Sequence, residues 1–179
     1  ANRILYDAVH PFESTEDDIE EALADVVRSQ SSTNKTGEAV TEALGGTQRT
    51  LADEVPFSSK LKWSAVAFDD DERRGVYVLG ALAMLKPHIT NLPSDADEQL
   101  AELAAEGKRV LTFAYAPEVT TLHDDAGEIA LPELRLLAFI TFTDELRPHL
   151  RETLSSFIDN GIAVKVISGD NPQTVAALA

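Results

Sequence analysis

The strongest constraint on the fold of this 179-residue chain is the stretch from Ile162 to Val175. An apolar run broken only by Lys165 stops at Ser168-Gly169-Asp170 and is followed at once by Asn171-Pro172. Residues apolar on both alternations predict a strand buried on both faces. Asn171 then reads as an N-cap and Pro172 as the first residue of a helix. A hydroxyl and a carboxylate at the carboxyl end of a buried strand, a glycine permitting close approach and helix N–H groups beyond suit phosphate and a divalent metal. Upstream, the apolar run Leu134 to Phe142 precedes a helical pattern over Leu146 to Asn160, with Leu150, Leu154 and Ile158 inward and Gly161 as its stop. Together these predict a β-α-β unit, hence a parallel strand pair with a right-handed crossover.

The preceding residues follow another grammar. A strand is expected over Arg3 to His10, then a helix opened by Ser14 and Asp17 in a capping-box arrangement, with Ile19, Leu23, Val26 and Val27 on one face. A second helix is expected over Gly37 to Leu44, ended by Gly45-Gly46. The middle reads as strands at Val55 to Phe57, Lys62 to Phe68, Gly75 to Leu79 and Arg109 to Tyr115. A charged tip at Asp69 to Arg74, a helix from Ser94 to Gly107 and a turn at His123 to Glu128 separate them. The expected fold is α/β in two parts: an α+β domain over 1–134, a mostly antiparallel sheet flanked by helices, then a parallel β-α-β fragment over 135–179.

The chain starts at Ala1 and ends inside an apolar helical pattern, so both ends read as cuts through something larger. No run approaches the roughly 20 apolar residues a bilayer-crossing helix needs, and no signal peptide is visible. Without cysteine there are no disulfides or thiolate metal sites. A formal charge of −16 argues against general affinity for nucleic acid or anionic lipid. The same field repels a nucleotide, so nucleotide binding would need a local basic cluster and Mg²⁺.

Such a cluster is present in Val55-Pro56-Phe57-Ser58-Ser59-Lys60-Leu61-Lys62. An aromatic face can stack on a base for roughly 1–3 kcal/mol, and neighbouring ammonium groups attract phosphate. The plainer reading makes Phe57 a core residue and Lys60 and Lys62 surface lysines. Trp63, one residue along an alternating strand, is expected to face away from Lys62.

These segments resemble those of the cation-transporting P-type ATPases of the haloacid-dehalogenase superfamily. The Pro56-Phe57-Ser58-Ser59 stretch with Lys62 is similar to the family's nucleotide-domain segment. Tyr77-Val78-Leu79-Gly80-Ala81 occupies the place of its Lys-Gly-Ala, and Arg109-Val110-Leu111 that of its Arg-x-Leu. Thr143-Asp144-Glu145-Leu146-Arg147-Pro148 resembles the Asp-Pro-Pro-Arg hinge, and Ser168-Gly169-Asp170 the Thr/Ser-Gly-Asp segment. The Leu-Gly-Ala form is similar to the bacterial branch called cation-transporting P-type ATPase E. Two departures stand out: Leu79 replaces a lysine, and Gly37, beside Glu38, stands at the place matched to an acidic adenine contact.

The resemblance implies that Phe57 and Leu111 grip adenine and that Lys62, Lys60 and Arg109 hold polar and phosphate groups. It also implies that Gly80 and Ala81 allow close backbone approach, and that Asp144, Arg147, Ser168, Gly169 and Asp170 form the hinge and phosphate side. ATP with Mg²⁺ is the implied cofactor. The remaining phosphorylation, actuator and transmembrane domains are the implied partners, and the cytoplasmic side of the cell membrane the implied location. The Asp-Lys-Thr-Gly-Thr nucleophile motif is absent from the sequence. The chain is therefore expected to bind ATP without completing phosphoryl transfer, and no catalytic or metal-ligating residue is assigned. Two other classes stay open: a haloacid-dehalogenase phosphatase with a cap domain, and an acidic interaction module built on Glu16 to Asp25.

Overall fold

The computed structural model describes residues 3–145, 150–163 and 165. Six strands, β1 (Arg3–Pro11), β2 (Asp53–Val55), β3 (Trp63–Phe68), β4 (Gly75–Gly80), β5 (Arg109–Pro117) and β6 (Arg135–Glu145), form one sheet in the order β1-β6-β5-β4-β3-β2. Every neighbouring pair is antiparallel. Helices α1 (Glu16–Ser29) and α2 (Lys35–Leu44) cover one face. The short α3 (Leu82–Leu85), α4 (Ala96–Ala105) and the segment around Leu122 and Leu134 cover the other.

This double cover accounts for β6. The apolar run over Leu134 to Phe142 is expected to form a strand, and its residues from Leu136 to Phe142 are buried. Among the described residues, the neighbours of β6 run antiparallel to it. β6 pairs antiparallel with β1 through Ala138 to Glu145 and with β5 through Arg135 to Phe142, so both its hydrogen-bonding edges are used. Continuous apolarity reports cover on both faces, whichever way the neighbouring strands run. The sheet therefore extends about ten residues past the expected boundary. A bulge sets Phe113 opposite Ala138 but Ala114 opposite Leu136, which lets Leu137 and Ala138 both face the α1–α2 core.

Local chemistry refines the other expectations. Thr15, not Ser14, caps α1: its hydroxyl accepts the Asp18 N–H at 3.2 Å, while Ser14 takes a left-handed φ of 67°. Asn34 caps α2 by accepting the Gly37 N–H at 2.9 Å, starting that helix two residues early. β2 ends at Val55 because Pro56 has no N–H for the ladder, which leaves Phe57 in a loop. In α5 (Leu150–Asp159), Ile158 is exposed together with Phe157, contrary to the inward face expected. The second strand of the predicted β-α-β unit lies outside the described residues.

Candidate functional site

Antiparallel pairing carries the sequence-predicted residues to one end of the sheet. That end holds the last residue of β2, the first of β3, the last of β4, the first of β5 and the last of β6. Phe57, Lys60, Lys62, Gly80, Ala81, Arg109 and Asp144 all lie there. Phe57 follows β2 and Arg109 opens β5, three strand spacings away, or about 14 Å across the sheet.

The turn bearing Phe57 is tied tightly to its own backbone. Ser58 accepts the Leu61 N–H on its hydroxyl at 3.1 Å and the Lys62 N–H on its carbonyl at 2.8 Å. Lys62 has a left-handed φ of 59°, and its carbonyl accepts the Ala81 N–H at 3.0 Å. The turn is thus fastened to the end of β4, with Leu61 partly buried against Val55 and Trp63. Phe57 is 52% exposed. Lys60 and Lys62 are also exposed and join no ion pair among the described residues. A packed aromatic would have supported the core reading of Phe57, and this one is not packed. Trp63 is buried with Val55, Ala65 and Val78 on the face away from Val66 and Phe68, as strand alternation predicts.

Gly80 has an internal reason to be glycine. A Cβ there would fall 2.6 Å from both the Lys62 carbonyl oxygen and Trp63 Cα, and closer still to Trp63 Cβ. Its missing side chain admits the neighbouring strand, whatever else approaches it. Leu79 packs into the α1–α2 core beside Val66 and Phe113, and Leu111 lies partly buried against the same cluster. Where a lysine would bring a charge, this chain has an apolar floor. Arg109 pairs with Asp144 through Nε, at 3.1 Å to Oδ2 and 3.3 Å to Oδ1. Arg147, Ser168, Gly169 and Asp170 lie outside the described residues.

A groove of about 400 Å³ lined by Val27, Arg28, Gln30, Thr33, Glu38, Thr41 and Glu42 borders this end. Gln30 Nε2 donates to Ser64 Oγ at 3.0 Å, and Glu42 pairs with Arg3, which opens β1. Gly37 packs inward, where a Cβ would meet Thr33 Oγ1 at 3.0 Å and Val27 at 3.3 Å, so a larger residue there must displace those side chains. The groove acids are Glu38 and Glu42, and sequence reasoning missed Glu42. The i, i+4 spacing of the two on α2 was the available signal.

Asp53 steadies β2 from its far end. Burial pushes its carboxyl up, but the Leu122 N–H, His123 and the Glu54 N–H together outweigh that and hold its pKa below the usual carboxylate range. The ionised carboxylate only accepts, so His123 Nδ1 carries the proton between them.

No protein-family model matches the chain. The calcium-transporting ATPase CtpE of Mycobacterium tuberculosis is 33% identical over 165 residues, 92% of this chain and 19% of the relative. The Streptococcus pneumoniae protein exp7, named a probable cation-transporting ATPase, is 32% identical over 182 residues, covering 99% of this chain and 22% of the relative. The chain belongs to the P-type ATPases. The fold matches a crystal structure of a zinc-transporting PIB-type ATPase. The TM-score is 0.59 and the identity 17%, across 98% of this chain and 25% of that one. This chain thus spans about a fifth of the length of its curated P-type relatives. Among the described residues, no helix is long and apolar enough to cross a membrane.

Proposed function

We propose that this segment is the ATP-binding portion of a cation-translocating P-type ATPase, on the cytoplasmic side of the cell membrane. The observation that carries the reading is Phe57, a half-exposed aromatic on a hydrogen-bonded turn beside two solvated lysines. Leaving about half of the ring in water forgoes roughly 1 kcal/mol of burial, a cost that stacking on a purine offsets. Phe57 covers one face of the base and Leu111 and Leu79 form the apolar floor. Lys60, Lys62 and Arg109 attract the phosphates, and Ala81 and Gly80 anchor the turn. Mg²⁺ arrives with the phosphates and offsets part of the repulsion from the −16 field.

In the whole protein the bound ATP would donate its γ-phosphoryl to an aspartate outside this sequence, and the aspartyl phosphate would drive cation movement. Calcium is the proposed cargo, by the names of CtpE and of the type 2C relatives, the human protein among them. The phosphorylation, actuator and transmembrane domains of the parent are the proposed partners. Asp144, with Arg147, serves the hinge, and Ser168, Gly169 and Asp170 the phosphate side. The segment boundary is proposed after the end of β6. The relatives named above favour neither the phosphatase nor the acidic-module alternative.

Calorimetric titration with Mg-ATP tests the site. Phe57→Ala and Arg109→Ala should each weaken binding about tenfold or more, in line with roughly 1–3 kcal/mol per stacked base or charged contact. Unchanged affinity in both variants would remove the pocket.

A further inference from the structure

Arg109 and Asp144 enter from separate expectations, one as a phosphate contact and the other as a hinge residue. The structure joins them. Arg109 stands opposite Phe142, which makes Asp144 its diagonal neighbour on the same face of the β5–β6 pair. Both carboxylate oxygens lie within 3.3 Å of Arg109 Nε. The Asp144 side chain is only 6% exposed, whereas that of Arg109 is 37% exposed. A carboxylate so deeply buried is tolerated only when paired, so the buried partner dictates where the more exposed one stands.

We infer that Asp144 is a positioning residue for nucleotide binding, holding the Arg109 guanidinium plane at the sheet end where Phe57 stands. This rests on the ATP-binding reading and deepens it. Arginine loses considerable rotamer freedom when fixed on a ligand. Fixing it through Nε beforehand moves that loss from binding to folding, which is how preorganisation raises affinity. Asp144 is also the next-to-last residue of β6. Ligand charge at Arg109 is therefore met one residue from the end of that strand.

The test compares titrations of the whole chain with Mg-ATP and with adenosine. Asp144→Ala should weaken Mg-ATP about fivefold to twentyfold while leaving adenosine within about twofold, because only the phosphates need the oriented arginine. In an Arg109→Ala background the same substitution should add nothing further, the signature of a coupled pair. Asp144→Asn keeps an acceptor for the Nε–H and should restore most of the Mg-ATP affinity. Equal weakening of both ligands, or a further loss without Arg109, would overturn the inference. If Asp144→Ala does not fold, wild-type NMR decides. The Arg109 Nε–H signal, identified by its loss in Arg109→Lys, should exchange slowly and shift with Mg-ATP but not adenosine. Exchange as fast as that of free arginine would overturn the inference. A wild-type chain that binds neither ligand would overturn the nucleotide reading itself.

Discussion

Both ends of the sheet pair charges, but only the candidate-site end also leaves lysines in water beside an exposed ring. At the end where Phe68, Gly75 and Pro117 lie, charges are spent on the fold. Asp25, 2% exposed in the middle of α1, accepts from Arg49 Nε and Arg73 Nη2, both at 3.1 Å, and from the Thr47 N–H at 2.9 Å. Arg49 continues to Asp70 at 3.2 Å and Glu72 at 3.1 Å, so α1, the segment after α2 and the β3–β4 tip are bound together. Arg74 and Arg135 at this end are paired as well. At the opposite end Lys60 and Lys62 stand in water, beside an aromatic that is not packed. A charge buried among its partners, as in the Asp25 network, is out of a ligand's reach. One kept solvated retains its field, though screened by salt.

The largest effect should come from removing the centre of the buried network. Asp25→Ala leaves two mostly buried arginines without their shared carboxylate, which should cost about 3–5 kcal/mol of stability. Chemical denaturation would measure it; a loss below about 1 kcal/mol would mean that the network is ornamental. Next comes Gly80→Ala at the site end, where overpacking against Trp63 should cost about 1–3 kcal/mol. It should also disturb the near-ultraviolet signal of the single tryptophan. Stability equal to wild type would show that the close approach is not maintained in solution.

Phe57→Ala should separate the two ends most cleanly. It should lose the Mg-ATP affinity described above while the stability stays within about 0.5 kcal/mol of wild type, as for an ordinary surface substitution. A large stability loss would place the ring in the core. The smallest effect is that of Asp53. Its folded pKa lies below the unfolded one, so its stabilisation is present at neutral pH and lost as pH falls through the folded value. Asp53→Asn should therefore be less stable than wild type at pH 7, by on the order of 1 kcal/mol, with the gap closing in acid. A gap independent of pH would assign the effect to shape alone.

Much of the site was legible in the sequence because it is built from short local signals. The turn itself was not: Val55 to Phe57 reads as a strand in the sequence, whereas β2 stops at Val55 before Pro56 and Ser58 closes a turn that leaves Phe57 in a loop. Phe57, Lys62, Gly80 and Arg109 occur in an order that an antiparallel sheet gathers at one end. What escaped were contacts between residues distant in the chain. Gly80 is tight against Trp63, 17 positions away, and Arg109 meets Asp144, 35 positions away. Glu42 went unnoticed because the matching placed Gly37 where an acid was sought. The antiparallel neighbours of β6 were not legible because an apolar run looks the same in a parallel sheet and in a doubly covered antiparallel one.

The sequence alone determined most of the element types, the absence of thiol chemistry and membership in the P-type ATPases, because periodicity, proline and short motifs act over a few residues. The tertiary structure decided which strands pair, that β6 runs inside the sheet, and that Arg109 is held by Asp144. Those outcomes depend on which surfaces cover one another, and burial is a property of the assembled layers rather than of any segment within them.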